Sequence, residues 1–222
     1  MIEKLVDLFA PARCIGCSFP GSPLCRDCRQ LAFFPVSRCY RCHKPTQQFQ
    51  VCPSCRKSVA LKHVWVVSDF SGSTKDLIYA LKFERLACVS KVVASEMASI
   101  LPLLPADTII CHVPTSTVRV RIRGYDQALL IAKELSNLTD LNRKTLLRKI
   151  SNTRQLGASR PDRFKQAKTS YQVIDQKKIA NKNILLVDDV TTSGATLEVV
   201  AQLLKKSGAK TVDAIVCAQA ID

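Results

Sequence analysis

Ile184-Leu185-Leu186-Val187-Asp188-Asp189-Val190-Thr191-Thr192-Ser193-Gly194-Ala195-Thr196 reads as a strand that ends in two acids and turns into a helix. Four apolar residues in succession mark a fully buried strand, and the amphipathic run Thr196–Lys206 follows the turn. A helix start attracts anions because its first N–H groups have no intrahelical acceptor, and Gly194 lets the backbone come close. Thr192, Ser193 and Thr196 add hydroxyl donors. Asp188 and Asp189 would face the other end of a ligand, accepting hydrogen bonds from sugar hydroxyls or holding Mg²⁺. A ribose carrying a 5-phosphate satisfies both ends. An ordinary N-capped strand–turn–helix explains one hydroxyl, but not two acids beside several hydroxyls and a glycine.

This run resembles the phosphoribosyl-pyrophosphate (PRPP) motif of the type I phosphoribosyltransferase fold. The resemblance implies that Asp188 and Asp189 hold the ribose hydroxyls. It also implies that Thr192, Ser193, Gly194, Ala195 and Thr196 cradle the phosphate.

Outward from the motif, strands and helices alternate. Lys62–Asp69, Thr108–Val113, Ser170–Ile174 and Thr211–Ala218 read as further strands. Ser73–Phe83, Val89–Leu101 and Gln127–Asn137 read as helices, and Gly208 stops the helix that follows the motif. The pattern predicts an α/β fold, a parallel sheet with helices on both faces. Residues 59–222 suffice for one such domain.

Residues 1–58 differ in composition. Eight of the eleven cysteines form four Cys-x-x-Cys pairs, Cys14/Cys17, Cys25/Cys28, Cys39/Cys42 and Cys52/Cys55. Two such pairs complete a tetrahedral Cys₄ zinc site, saturated with thiolate and therefore structural. Neither a signal peptide nor a long apolar segment is evident, Ile2–Phe9 being a short amphipathic helix at most. A cytoplasmic location follows, where thiols stay reduced and zinc outranks disulfides. Redox Cys-x-x-Cys motifs do not come four to a loop-rich run, and the haem-attachment pattern at Cys39–His43 is a single match inside the array. Sequential pairing puts Cys14, Cys17, Cys25 and Cys28 on one ion and Cys39, Cys42, Cys52 and Cys55 on a second; spacing alone also allows a crossed arrangement. With few periodic apolar residues here, metal is expected to stand in for a core.

The formal net charge is +15, and residues 112–182 carry +11 of it. Between residues 143 and 168 Asp162 is the one acid among Arg143, Lys144, Arg148, Lys149, Arg154, Arg160, Arg163, Lys165 and Lys168. A solvated loop accounts for isolated charges, whereas so dense an Arg-rich run favours a polyanion, pyrophosphate or a nucleic-acid backbone. Arg148, Lys149, Arg154, Arg160, Arg163 and Lys165 are the nucleic-acid candidates. Val113–Gln127, with Arg119, Arg121 and Arg123 alternating before Gly124, reads as a second basic loop able to fork onto phosphate. Among the aromatics, Tyr40, Tyr125, Phe164 and Tyr171 are candidates for stacking on bases, though core or loop packing is the commoner role. Cys88, Cys111 and Cys217 read as small buried hydrophobes, and Trp65 as core.

At these segments the chain resembles the ComF family of competence proteins, which join a cysteine-rich zinc module to a phosphoribosyltransferase-like domain. The correspondence runs through Val113, Pro114, Arg119, Arg123, Gly124, Tyr125, Asp126 and Gln127, then through Gln155, Ala158, Arg163, Gln166 and Tyr171, and includes Ala80-Leu81-Lys82-Phe83. Asp126, Ala158, Gln166 and Tyr171 depart from the family's residues. The resemblance implies a role in DNA uptake during natural transformation, with single-stranded DNA as ligand and a DNA-uptake helicase or other competence proteins as partners. Arg119 and Arg123 would join the PRPP site. A rival reading is an active Mg²⁺-dependent phosphoribosyltransferase acting on a nucleobase or related acceptor, with Asp189 as base or ribose ligand; a third is a PRPP sensor. No acceptor pocket is legible after Thr211.

Overall fold

The computed structural model describes residues 13–150 and 170–221. Helices α1 (Arg26–Ala32) and α2 (Pro53–Arg56) belong to the cysteine-rich segment. The α/β portion runs β1 (Val64–Asp69), α3 (Gly72–Phe83), α4 (Val89–Ile100), β2 (Ile109–His112), α5 (Thr117–Arg123) and α6 (Gln127–Thr139). It continues with β3 (Asn142–Arg143), β4 (Leu147–Lys149), β5 (Tyr171–Val173), β6 (Asn183–Thr191), α7 (Ala195–Lys206) and β7 (Thr211–Gln219).

Five strands form a parallel sheet in the order β1-β7-β6-β2-β3, so the acid-bearing strand β6 lies at its centre. Period-two alternation splits the buried residues between two faces. Val64, Val66, Ile184, Leu186, Ala214 and Val216 pack with Leu197, Val200 and Leu204 of α7. Trp65, Val67, Leu185, Val187, Ile215 and Cys217 pack with Leu77 and Leu81 of α3, Val93 and Met97 of α4 and Ile131 and Leu135 of α6. Both faces being dry explains why β6 and β7 read as unbroken apolar runs. Leu186 is fully buried, and its truncation to alanine would cost about 2–5 kcal/mol.

The cysteine-rich segment also packs against the sheet. Its Gln50 bridges His63 antiparallel, Val51 N donates to Lys62 O and Val64 N to Phe49 O, so the outer edge of β1 is paired at its start. Its two halves lie on opposite faces of the sheet. Cys14, Leu24 and Phe33 join the core of α3 and α4, whereas Cys39, Tyr40, Val51 and Cys52 join that of α7. Hydroxyls of Ser68 and Thr74 both donate to Ala32 O, at 2.8 and 2.7 Å, and Arg38 pairs with Asp69. The segment thus shares the hydrophobic cores of the sheet, which its sparse periodicity did not suggest.

Three sequence expectations change. The alternating arginines lie in helix α5, capped by Ser116, which accepts from Arg119 N, and by Gly124 at φ 89°; they are not a loop. Ser170–Ile174 supplies β5, but it pairs antiparallel with β4 in a separate two-stranded sheet. Cys88 is exposed, before α4, although Cys111 and Cys217 are buried as expected. Ile2–Phe9 and residues 151–169, with Arg154, Arg160, Arg163 and Lys165, lie outside the described residues.

Candidate functional site

β6 ends at the carboxyl edge of the sheet, beside the end of β2. Val113 N donates to Val187 O at 2.9 Å, so the chain leaving β2 runs along β6 before entering α5. In an open parallel sheet, ligands bind outside this edge.

The paired acids are held tightly. Asp188 accepts from Asp189 N at 2.9 Å, and Asp189 accepts from Val190 N at 2.7 Å. Lys82, on the last turn of α3, places Nζ 2.8 Å from Asp189 Oδ2. Asp189 is almost fully buried and Asp188 half-buried in a crowded setting. Desolvation first, then the neighbouring Asp189 charge, raises the Asp188 pKa well above the ordinary carboxylate value, with Lys82 opposing. Two like charges at one strand end are costly without a cation or a hydroxyl-rich ligand.

Beyond the acids, Gly194 is the N-cap of α7 at φ 72°, a conformation that disfavours a side chain, and as a glycine it brings no capping side chain of its own. The first-turn amides have no intrahelical acceptor and suit an anion. Thr192 is exposed, and Ser193, Ala195 and Thr196 are half-buried. Behind the loop stands Tyr40. A Cβ on Gly194 would fall 2.5 Å from its Cδ2 and nearer still to Cε2. The Tyr40 hydroxyl donates to Glu198 Oε2 at 3.1 Å, Ala60 N donates to Glu198 Oε1 at 2.8 Å, and Gln219 Nε2 donates to Tyr40 O at 2.7 Å. Burial, then the Glu198 charge, pushes the Tyr40 pKa far up, so the ring stays neutral. Tyr40 is therefore a core residue that backs the loop and does not stack on a base.

Arg123 borders the acids. Its Nη1 donates to Gln127 Oε1 at 2.8 Å, and its guanidinium lies 5.3 Å from the Phe83 ring centroid. Burial first and then Arg119 lower its pKa, and the Asp189 charge opposes them. Arg119 and Arg123 stand four residues apart in α5, spacing that puts both on one helical face. Asp126 caps α6, accepting from Leu129 N at 3.2 Å and Thr115 N at 2.8 Å. Arg148 is engaged by Gln172 Oε1 at 2.7 Å on the β4–β5 pair, and Lys149 lies 5.2 Å from the Tyr171 ring centroid. Tyr125 donates to Leu81 O at 2.6 Å.

The cysteines gather as sequential pairing expects, Cys14/Cys17/Cys25/Cys28 and Cys39/Cys42/Cys52/Cys55, the sulfurs of each set within 4.8 Å of one another. A tetrahedral Zn–S shell of about 2.3 Å requires sulfurs about 3.8 Å apart. Cys17–Cys25 at 3.7 Å and Cys42–Cys52 at 3.5 Å fit that geometry and not disulfides. Both clusters are compatible with structural zinc. Backbone N–H groups of Cys25, Cys17 and Gly16 overcome burial and bring the Cys14 thiol down to about 6, and a contact with Ser54 does the same for Cys52. Burial and neighbouring thiols lift Cys55 to about 12, so loading a metal would release protons.

The sequence brought together the acids, the loop and both thiolate sets. It missed Lys82 as the partner of Asp189 and Tyr40 as the backing of Gly194. Both are contacts between distant segments, and the one trace of either was the Leu81-Lys82-Phe83 step.

Comparison with known proteins agrees with this architecture. The phosphoribosyl transferase domain family matches residues 90–221. Competence protein F of Haemophilus influenzae is 27% identical over 216 residues, covering 90% of this chain and 93% of that protein. The DNA utilization protein YhgH of Salmonella typhi is 27% identical over 92% of this chain and 96% of its own length, and ComFC of Bacillus subtilis is 27% identical over 85% and 80%. With the two amino-terminal thiolate sets, these matches place the chain in the phosphoribosyl transferase domain family, as a ComF-type member.

Proposed function

We propose that this protein binds PRPP with Mg²⁺ at the carboxyl end of β6 and single-stranded DNA on the adjoining basic surface, as a component of DNA uptake. In this reading residues 1–58 form the zinc-binding unit and residues 59–222 the unit that carries the site. The observation that carries the proposal is the meeting of the acid pair Asp188/Asp189, the glycine-capped α7 start at Gly194 and the basic helix α5 at one sheet edge. Asp188 and Asp189 accept the ribose hydroxyls, the amides after Gly194 take the 5-phosphate, and Arg119 and Arg123 meet pyrophosphate. When bound, Mg²⁺ neutralises pyrophosphate charge. Lys82 occupies one oxygen of Asp189, which favours ribose holding over proton abstraction for that carboxylate. The competence-protein names of the relatives support the DNA-uptake role, and the excess of cations in residues 112–182 supports a polyanionic partner.

The test is anisotropy of a labelled oligo(dT) with the zinc-loaded full chain across a salt series. Affinity that falls linearly on a log–log plot, and falls further in Arg154→Ala/Arg163→Ala, supports the reading; no binding at low salt refutes it. Pyrophosphate release from PRPP against a nucleobase panel, lost in Asp188→Ala, would instead establish a transferase.

A further inference from the structure

Beside the acid pair lie two exposed aromatic side chains that the PRPP reading leaves unused. Tyr79 and Phe83, one turn apart on α3, are 54% and 61% exposed, their ring centroids 4.7 Å apart and inclined at 42°. Helix α5 flanks them: the Arg123 guanidinium lies 5.3 Å from the Phe83 centroid, and Arg85 Nη2 donates to Ile122 O at 3.0 Å. Ile122 is itself 65% exposed. Lys82, between the rings in sequence, reaches Asp189. Large apolar side chains gathered in water and rimmed by cations mark a binding surface.

We propose that Tyr79 and Phe83 form a stacking platform for bases of single-stranded DNA, with Arg85 taking an adjacent phosphate. The proposal rests on the single-strand reading above and adds the place where bases are held. Charge complementarity selects the occupant: Arg123 stands over the Phe83 ring and the exposed Arg85 reaches the neighbouring Ile122 carbonyl, so cations border the aromatic pair. A base presents a flat face to an aromatic ring whatever its identity, and a polyphosphate chain suits the arginine rim. Duplex DNA hides its base faces within the stack, so the platform discriminates in favour of single strands. The shared border with Asp189, through Lys82, sets a strand end or a loop of DNA next to the ribose-phosphate site.

The experiment compares wild type with Tyr79→Ala/Phe83→Ala, using oligo(dT) and an abasic oligomer of equal length. Both side chains are largely exposed, so folding is expected to survive, as circular dichroism would check. Stacking predicts that the variant loses about tenfold or more in affinity for oligo(dT) and little for the abasic strand. Phe83→Trp provides a second readout against the constant emission of buried Trp65: oligo(dT) quenches the new indole, and duplex DNA or free thymidine at equal base concentration does not. Equal loss with the abasic strand, unchanged oligo(dT) affinity, or quenching by thymidine as strong as by oligo(dT) overturns the platform. If wild type binds oligo(dT) but the variant matches it, the platform alone fails; if wild type does not bind, the single-strand reading fails with it.

Discussion

Gly194→Ala gives the sharpest check on how the phosphate loop is built. Alanine for glycine stabilises by about 0.4–1 kcal/mol where the native backbone suits an L-residue, because the unfolded chain loses freedom. Here two effects reverse the sign. The backbone at φ 72° costs an L-residue about 1–2 kcal/mol. The new methyl would stand 2.5 Å from Tyr40 Cδ2, and Tyr40 cannot withdraw, being 2% exposed and tied through its hydroxyl to Glu198 and its carbonyl to Gln219. Overpacking of that kind costs about 1–3 kcal/mol. The two penalties less that gain leave a net cost of about 1–4.5 kcal/mol, a melting-point drop of roughly 2–18 °C for a chain of this size. Thermal denaturation of the zinc-loaded protein measures it. The double variant Tyr40→Leu/Gly194→Ala separates the causes: it removes the ring but keeps the φ penalty, so a coupling of about 1–3 kcal/mol is expected. A Gly194→Ala protein as stable as wild type, or strictly additive variants, would refute the wedge of Tyr40 against the loop.

Asp188→Asn should stabilise the empty protein while removing PRPP binding. The raised Asp188 pKa means that the folded state holds this proton where the unfolded state has released it, so stability present at low pH is lost as pH rises from the ordinary carboxylate range through the raised value. Urea melts across about pH 4–8 should show that decline in wild type and a flatter profile in the asparagine variant. Lys82→Met leaves Asp189 buried without its cation and should destabilise by about 1–3 kcal/mol, with partial recovery in Lys82→Met/Asp189→Asn; equal melting of wild type and Lys82→Met contradicts the pair. Removing metal with a chelator should release two zinc ions per chain and lower the melting point. It should also raise amide exchange in α7, since Cys39 and Cys42 flank the tyrosine that backs its start. Exchange confined to the cysteine-rich segment would contradict that coupling.

The fold was legible where one physical rule dominated. Ile184–Val187 is buried on both faces and the four Cys-x-x-Cys pairs are a dense local pattern, so both showed in sequence; the choice of sequential over crossed pairing, which spacing left open, came from the folded positions of the cysteines. Helix α5 was misread because Arg119, Arg121 and Arg123 alternate like a strand, although the brackets of a helix, Ser116 before and Gly124 after, were present. Asp126 stood out only as a departure from the family's residues, yet its position ahead of Gln127-Ala128-Leu129 is that of an N-cap. Lys82 with Asp189 and Tyr40 with Gly194 join residues more than a hundred apart, and no local pattern encodes such pairs. Cys88 follows an apolar run but sits outside the core, because the turn between α3 and α4 carries residues 83–88 into solvent. The cysteine-rich segment hid its contribution for a related reason: Leu24, Phe33, Tyr40 and Val51 have no periodicity of their own, and their partners lie on the two faces of the sheet.

The central claim, that a phosphorylated ribose rests between the acids of β6 and the start of α7, is tested most directly by calorimetric titration of the zinc-loaded full chain with PRPP and Mg²⁺. The account predicts saturable one-site binding that disappears in Asp188→Asn with the fold intact. Absence of heat and of any melting-point shift at millimolar PRPP, in protein shown to be folded and metal-loaded, would contradict it.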